Sequence, residues 1–249
     1  MKKIFMLLVA CVAMMFVSCS DDDDDVTKGA NGEKLVSTLK YSEEITNSNL
    51  SYIERYEYDK QGRITKRENT ETYEDETGTY ICLYTYKDNK IILNDDGDEM
   101  IYTLNDKGLV IKSSDPEYGE SEYAYNEQNQ LIKITGSVQA TFVWENGNII
   151  SEKIKHNWDS GFTDYKYEYN SNENKTAIIR LYAYDTAIDD ALCAAGYFGA
   201  KTKNLATKRI KATDTYKTIR NYTLDKEGYV IATNGTTEGK QESITIEYK

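Results

Sequence analysis

Apolar and aromatic residues in this chain recur two positions apart, stop for a polar turn, and resume. The clearest instance is Tyr56-Glu57-Tyr58-Asp59-Lys60-Gln61-Gly62-Arg63-Ile64-Thr65-Lys66. Tyr56 and Tyr58 alternate with Glu57, so both rings leave one face of a pleated strand, and Ile64 restarts the alternation. Asp59 to Gly62 supplies side-chain acceptors and a residue free to take positive φ, the chemistry of a tight connection. The second aromatic position returns at Tyr86, Leu104, Tyr125, Trp144, Tyr169 and Leu224, steps of 28, 18, 21, 19, 25 and 55 residues by subtraction. A step near twenty is what one hairpin needs: a strand out, a turn, a strand back and a second turn. Asp96-Gly97 and Asn234-Gly235 read as return turns, the latter before a last strand over Ser243 to Tyr248.

The pattern predicts an all-β fold: a large twisted antiparallel meander, barrel-like or a half-barrel, with one short helix near 186–195. That helix falls in the longest step, where Ile188, Ala191, Leu192 and Ala195 stand at helical spacing, Asp185 or Thr186 offers a cap and Gly196 a stop. Its expected role is to close an open end or face of the sheet and protect an edge.

Composition sharpens this in two ways. Tyr is abundant, 22 against 5 Phe and 2 Trp, which suits half-buried strands where a ring packs and its hydroxyl finds a partner. A net charge of -12 argues against nucleic acid as a partner, because phosphate contacts need Lys and Arg.

The N-terminus has a different character. Lys2 and Lys3 precede an uncharged run from Ile4 to Val17, too short for a usual membrane span and ending at the small residue Ser18, which is the pattern of an export signal. Phe16-Val17-Ser18-Cys19 resembles the lipobox of bacterial lipoproteins, which implies that Cys19 becomes the acylated N-terminus and that outer-membrane lipid is its partner. Removing Lys2 and Lys3 takes the net charge from -12 to -14. Ser20 and the run Asp21, Asp22, Asp23, Asp24 and Asp25 read as a solvated tether. They also resemble the signal that sends lipoproteins of some Gram-negative bacteria to the cell exterior. The domains expected are a signal peptide over 1–18, a lipidated cysteine and acidic flexible tether over 19–34, and a single β-repeat domain over 35–249.

Two further resemblances rest on the repeats. Tyr58-Asp59-Lys60-Gln61-Gly62-Arg63-Ile64-Thr65 is similar to the tyrosine-aspartate repeat of large secreted and surface shell proteins. From about residue 35 to the end, the degenerate repeats with Ala195-Gly196-Tyr197-Phe198-Gly199 and Lys203-Asn204-Leu205 resemble a lipoprotein family of unknown function with a porin-like fold. That resemblance implies a curved, barrel-like sheet and no activity. The face shared by Tyr52, Tyr56 and Tyr58 also carries Glu54, and Arg220 shares the Tyr222 face. Arg55, Glu57, Lys166 and Glu168 lie on the opposite faces. A basic side chain at a bilayer midplane costs about 2 to 4 kcal/mol, so neither face suits lipid.

Candidate chemistry is sparse. His156 is the only histidine, and no nucleophile motif accompanies it, so a solvated loop or strand end is expected and no catalytic residue is assigned. Cys82 and Cys193 have no zinc spacing; they are either two small buried hydrophobes or a disulfide. Asn94 to Glu99 lacks the glutamate of a calcium loop and reads as a hairpin turn, and no metal or other cofactor is expected. Trp144, Trp158, Tyr165 and Tyr167 lie among Asn, Asp and Glu as a stacking platform for sugar rings would, although cross-strand ladders account for the same tyrosines. The expectation is a lipid-anchored, non-enzymatic binding module of the outer membrane facing the cell exterior, with a glycan or another extracellular ligand. The alternative is a structural envelope component packed against an outer-membrane protein partner, and a hydrolase is the least supported reading.

Overall fold

The computed structural model describes residues 28–29, 32–45, 48–157, 159–175, 188–213 and 217–249. The segment expected to be a signal peptide, residues 1–18, lies outside them, as do Cys19, Ser20, Asp21 to Asp25 and Trp158. The strands are β1 (Val36–Ile45), β2 (Ser48–Tyr58), β3 (Ile64–Tyr73), β4 (Glu76–Lys87), β5 (Lys90–Asp95) and β6 (Asp98–Leu104). They continue as β7 (Val110–Asp115), β8 (Gly119–Tyr125), β9 (Leu131–Gly136), β10 (Val138–Glu145), β11 (Asn148–His156) and β12 (Thr163–Glu173). After the helix α1 (Asp190–Ala194) come β13 (Asn204–Lys211), β14 (Lys217–Leu224), β15 (Val230–Thr237) and β16 (Lys240–Tyr248). Every strand pairs antiparallel with its sequence neighbours, and β1 pairs with β16, so the sheet closes into a barrel.

The repeated phrase has a physical explanation. In Asp59–Arg63, Asn105–Leu109, Asn126–Gln130 and Asp225–Tyr229 the first residue's N–H donates to the fifth residue's carbonyl, and its side-chain Oδ1 accepts the N–H groups of the third and fifth. The fourth residue takes positive φ: Gly62 73°, Gly108 77°, Asn129 57°, Gly228 86°. The Asp or Asn of the phrase is thus a turn clamp, and the glycine serves the backbone.

The tyrosine has its own role. Just after these turns, and at Ile149 after a two-residue turn, the strand is bulged, as is β1 near Val36. A bulge leaves a carbonyl outside the ladder. Each such carbonyl accepts a donor from a nearby strand: Tyr58 Oη to Val36, Tyr86 to Ile64, Tyr125 to Val110, Trp144 Nε1 to Leu131, Tyr169 to Ile149, and Tyr248 to Val230, at 2.6–3.0 Å. Phenylalanine would fill the space and leave the carbonyl unpaired. This explains why a ring with a donor, and not phenylalanine, holds these six positions.

These rings point inward, and with Tyr56, Tyr84, Tyr102, Tyr123, Phe142 and Tyr167 one layer above they form the core. The outward wall is charged and self-paired, with Lys40–Glu247 at 2.6 Å, Arg55–Glu68 at 3.5 Å, Lys112–Glu120 at 2.7 Å and Lys153–Asp164 at 3.8 Å. Such a wall has the polarity of a surface in water.

The described residues 188–203, between β12 and β13, plug the end of the barrel where the clamp turns lie. Leu192 is fully buried, and the ring of Phe198 packs edge-on against Tyr102 and Tyr123. Backbone bonds then staple the segment to the rim: Val110 N–H to Tyr197 O, Ala200 N–H to Asn129 O, and Lys203 N–H to Gly147 O.

Several expectations are revised. The expected cap residues Asp185 and Thr186 lie outside the described residues; α1 is capped by Asp189, which accepts the Leu192 N–H at 2.8 Å while its carboxylate also meets Arg67 and Tyr84 inside the barrel. The helix closes an end of the barrel. Asn234-Gly235 lies within β15, and the turn is at Glu238-Gly239, both at positive φ. Asp96-Gly97 is a two-residue turn with both φ positive, as expected. Glu33 and Lys34, expected in a flexible tether, pair with Lys201 and Asp225 on the barrel end.

Candidate functional site

Where the N-terminal segment meets the plug there is a cavity of ≈ 100 Å³. Its wall combines Lys34 and Val36 from the entering chain, Tyr56, Tyr58, Gly62 and Arg63 from β2 and its turn, Ala191, Ala194, Ala195 and Tyr197 from the helix region, and Tyr248 from the last strand. Gly62 sits where a Cβ would approach Lys28 O at 2.9 Å, so only glycine lets the entering chain cross this turn. Four tyrosines give the cavity aromatic walls, and Lys34, Arg63 and Lys175 put cations at its rim.

The cations are held differently. Arg63 bonds Asp59 at 2.7 Å and lies 4.4 Å from the Tyr86 ring centroid, so its guanidinium is fixed flat. Burial works against the Asp59 carboxylate, yet hydrogen bonds from the Arg63 side chain and from backbone N–H groups hold its pKa below the usual value. Lys34 reaches Asp225 at 2.9 Å and Glu227 at 3.3 Å; the Asp225 hydrogen bond raises its pKa, and Lys34 in turn lowers that of Asp225. Lys175 Nζ donates to the Glu227 carbonyl at 2.7 Å and lies 5.6 Å from the Tyr229 ring centroid. Its charge therefore meets a dipole and a π face, with no carboxylate among the described residues. Tyr197, in the cavity wall, lies 6.0 Å from Tyr86 between ring centroids.

At the opposite end the inner wall is polar, but its charges satisfy one another. Arg209 lies 3.6 Å from the Tyr165 ring centroid and bonds Glu152 at 2.9 Å and the Tyr167 hydroxyl at 3.2 Å; Tyr167 also donates to Glu152. Arg220 bonds Glu242 at 2.7 Å. These pairs are buried, which marks them as wall structure.

Residues 56–212 match the model of a family described as a domain of unknown function, DUF4595, with porin-like fold. The chain belongs to that family. A solved crystal structure of a porin-like protein from Bacteroides uniformis ATCC 8492 is 20% identical, with a TM-score of 0.69 over 86% of this chain and 96% of that one, a likeness of fold. No curated protein matches.

In this DUF4595 barrel Trp144, Tyr165 and Tyr167, the described members of the expected sugar platform, do not come together, and Trp158 lies outside the described residues. Trp144 lies in the ring of donors nearest the plug, around a ≈ 20 Å³ void against Cys193 and Phe198, while Tyr165 and Tyr167 stand two and one layers nearer the other end. Tyr167 is buried in the Glu152 cluster, so of the three described residues none shares an exposed surface with another. His156 is at a strand end but buried, its Nδ1 2.8 Å from Asp159 Oδ2; it is not solvated. Cys82 and Cys193 are free thiols, so no disulfide joins them. Burial raises the pKa of Cys82, although Arg67 Nη2 donates to its sulfur at 3.4 Å.

The cavity residues were missed because five separated segments build the site. Two signals pointed there. Arg63 belongs to the one repeat copy that keeps the Gly-Arg pair, and Ala195-Gly196-Tyr197 follows the helix where the repeat fails.

Proposed function

We propose that this protein is a lipid-anchored, surface-exposed lipoprotein of the outer membrane that binds a small extracellular ligand non-covalently and catalyses no reaction. The observation that carries the binding reading is the ≈ 100 Å³ cavity with Tyr56, Tyr58, Tyr197 and Tyr248 in its wall and Lys34, Arg63 and Lys175 at its rim. Aromatic walls with a few placed donors suit one sugar unit, and the Lys175 charge favours an acidic one. Calorimetric titration with a panel of neutral and acidic mono- and oligosaccharides tests it. Wild type should bind an acidic sugar, and Tyr197→Ala should weaken that binding at least tenfold. Silence across the panel would remove the reading.

The anchor reading rests on Cys19, with Lys28 at the plugged end nine residues further on, a reach of at most about 30 Å. That arrangement points the plugged end toward the membrane and the other end away from it. Two or more acyl chains suffice for stable attachment. Cys19→Ala should move the protein from the membrane to the soluble fraction, and replacing Asp21 to Asp25 by Ala should protect it from protease added to whole cells. Unchanged fractionation of the first variant would overturn the anchor. A scaffold role is favoured by one separate feature, the exposed Ile81 and Leu83 on the outer wall.

A further inference from the structure

The barrel is not level at the end away from the plug. β4 pairs with β5 only from Cys82, opposite Asp95, to Lys87, whereas it pairs with β3 from Glu76 onward. The segment Glu76–Ile81 therefore stands above the β5–β6 hairpin with one ladder edge unpaired among the described residues, and all of it is exposed. An open edge of this kind is a template for another strand. The chain does little to blunt it: the segment has no proline or lysine, and Tyr73, Tyr80, Ile81 and Leu83 are 48%, 53%, 43% and 47% exposed beside it.

The chemistry around the edge selects the occupant. Glu74, Asp75 and Glu76 crown the hairpin tip, and Asp95, Asp96, Asp98 and Glu99 line the β5–β6 turn at the foot of the slot. Lys66 and Arg67, the cations on the adjoining part of β3, are already engaged by Glu57, Glu68 and Asp189. A second copy of this chain would bring the same carboxylates into the slot and be repelled. We infer that the Glu76–Ile81 edge docks an extended, cationic segment of a partner polypeptide by strand addition, with alternate aliphatic side chains of that segment meeting Ile81 and Leu83.

The probe is a ten-residue peptide of alternating lysine and valine, with a control in which two valines are proline. Wild type should bind the probe at least tenfold more tightly than the control, and amide hydrogen exchange across Glu76–Ile81 should slow when it binds. Consecutive strand residues point their N–H groups to opposite sides, so of Gly78→Pro and Thr79→Pro one breaks the β3 ladder and the other blocks only the open edge. The variant that keeps the wild-type Tm should lose probe affinity at least tenfold. Glu74→Gln with Asp75→Asn and Glu76→Gln should weaken binding and flatten its salt dependence. Equal binding of probe and control, unchanged hydrogen exchange, or full affinity in the edge-blocked variant would each overturn the inference. So would concentration-dependent dimerisation abolished by that variant, which would assign the edge to a second copy.

Discussion

Between about pH 10 and pH 11 the folded protein is expected to unfold in a steep, proton-coupled transition. Burial, in every case the largest cause, raises the phenol pKa of Tyr56, Tyr58, Tyr84, Tyr86, Tyr102, Tyr123, Tyr125, Tyr167, Tyr169 and Tyr222, the last to about 12. The unfolded chain ionises these groups near pH 10 while the folded chain keeps their protons. Above that pH the unfolded state binds fewer protons, so the slope of unfolding free energy with pH is negative. Below it both states are protonated and no stability is lost. Each such tyrosine removes about 1.4 kcal/mol per pH unit, so together they remove on the order of 14 kcal/mol by pH 11, as much as a whole domain usually has. Circular dichroism and tyrosinate absorbance, followed together against pH, should change in one coincident step. Gradual tyrosinate formation centred on pH 10 with unchanged dichroism would show that these rings are not sealed in the barrel.

That behaviour was half legible in the sequence. Alternation placed the tyrosines on one face and the repeat placed that face in every hairpin, so the inner wall of the barrel could be read from Tyr56 and Tyr58 alone. The reason for the hydroxyl could not, because each donor reaches a carbonyl 13 to 22 residues away in sequence. Closure was equally hidden: it depends on Tyr41 meeting Ile244, and nothing local in either strand records the other. Glycine misled in one place, since Asn234-Gly235 has the chemistry of a hairpin turn and serves in mid-strand. The candidate cavity was illegible for the same reason as closure. Lys34, Arg63, Lys175, Tyr197 and Tyr248 are brought together by the plug and the barrel seam, which no periodicity encodes.

Replacing Arg220 with methionine should destabilise the barrel by about 3–5 kcal/mol, and the cause lies in that misread glycine. In the ladder Arg220 on β14 stands opposite Gly235 on β15, which stands opposite Glu242 on β16. With no side chain between them, the guanidinium spans the middle strand to reach Glu242 at 2.7 Å, with side-chain exposures of 1% and 3%. Thr237 donates to the other Glu242 oxygen at 3.0 Å, so both oxygens are engaged. Removing only the arginine leaves a carboxylate in the wall without its counter-charge, a far larger cost than the net worth of the pair. Arg220→Met with Glu242→Leu removes both charges and should recover most of the loss. Gly235→Ala should resemble the single variant, because its Cβ would collide with the Ile219 carbonyl and crowd the Arg220 backbone. Urea unfolding at pH 7 measures all three. A loss under about 1 kcal/mol for Arg220→Met would mean that Glu242 finds water or another cation once Arg220 is gone. A double variant no more stable than the single would mean that packing of the arginine stem, and not charge, holds this part of the wall.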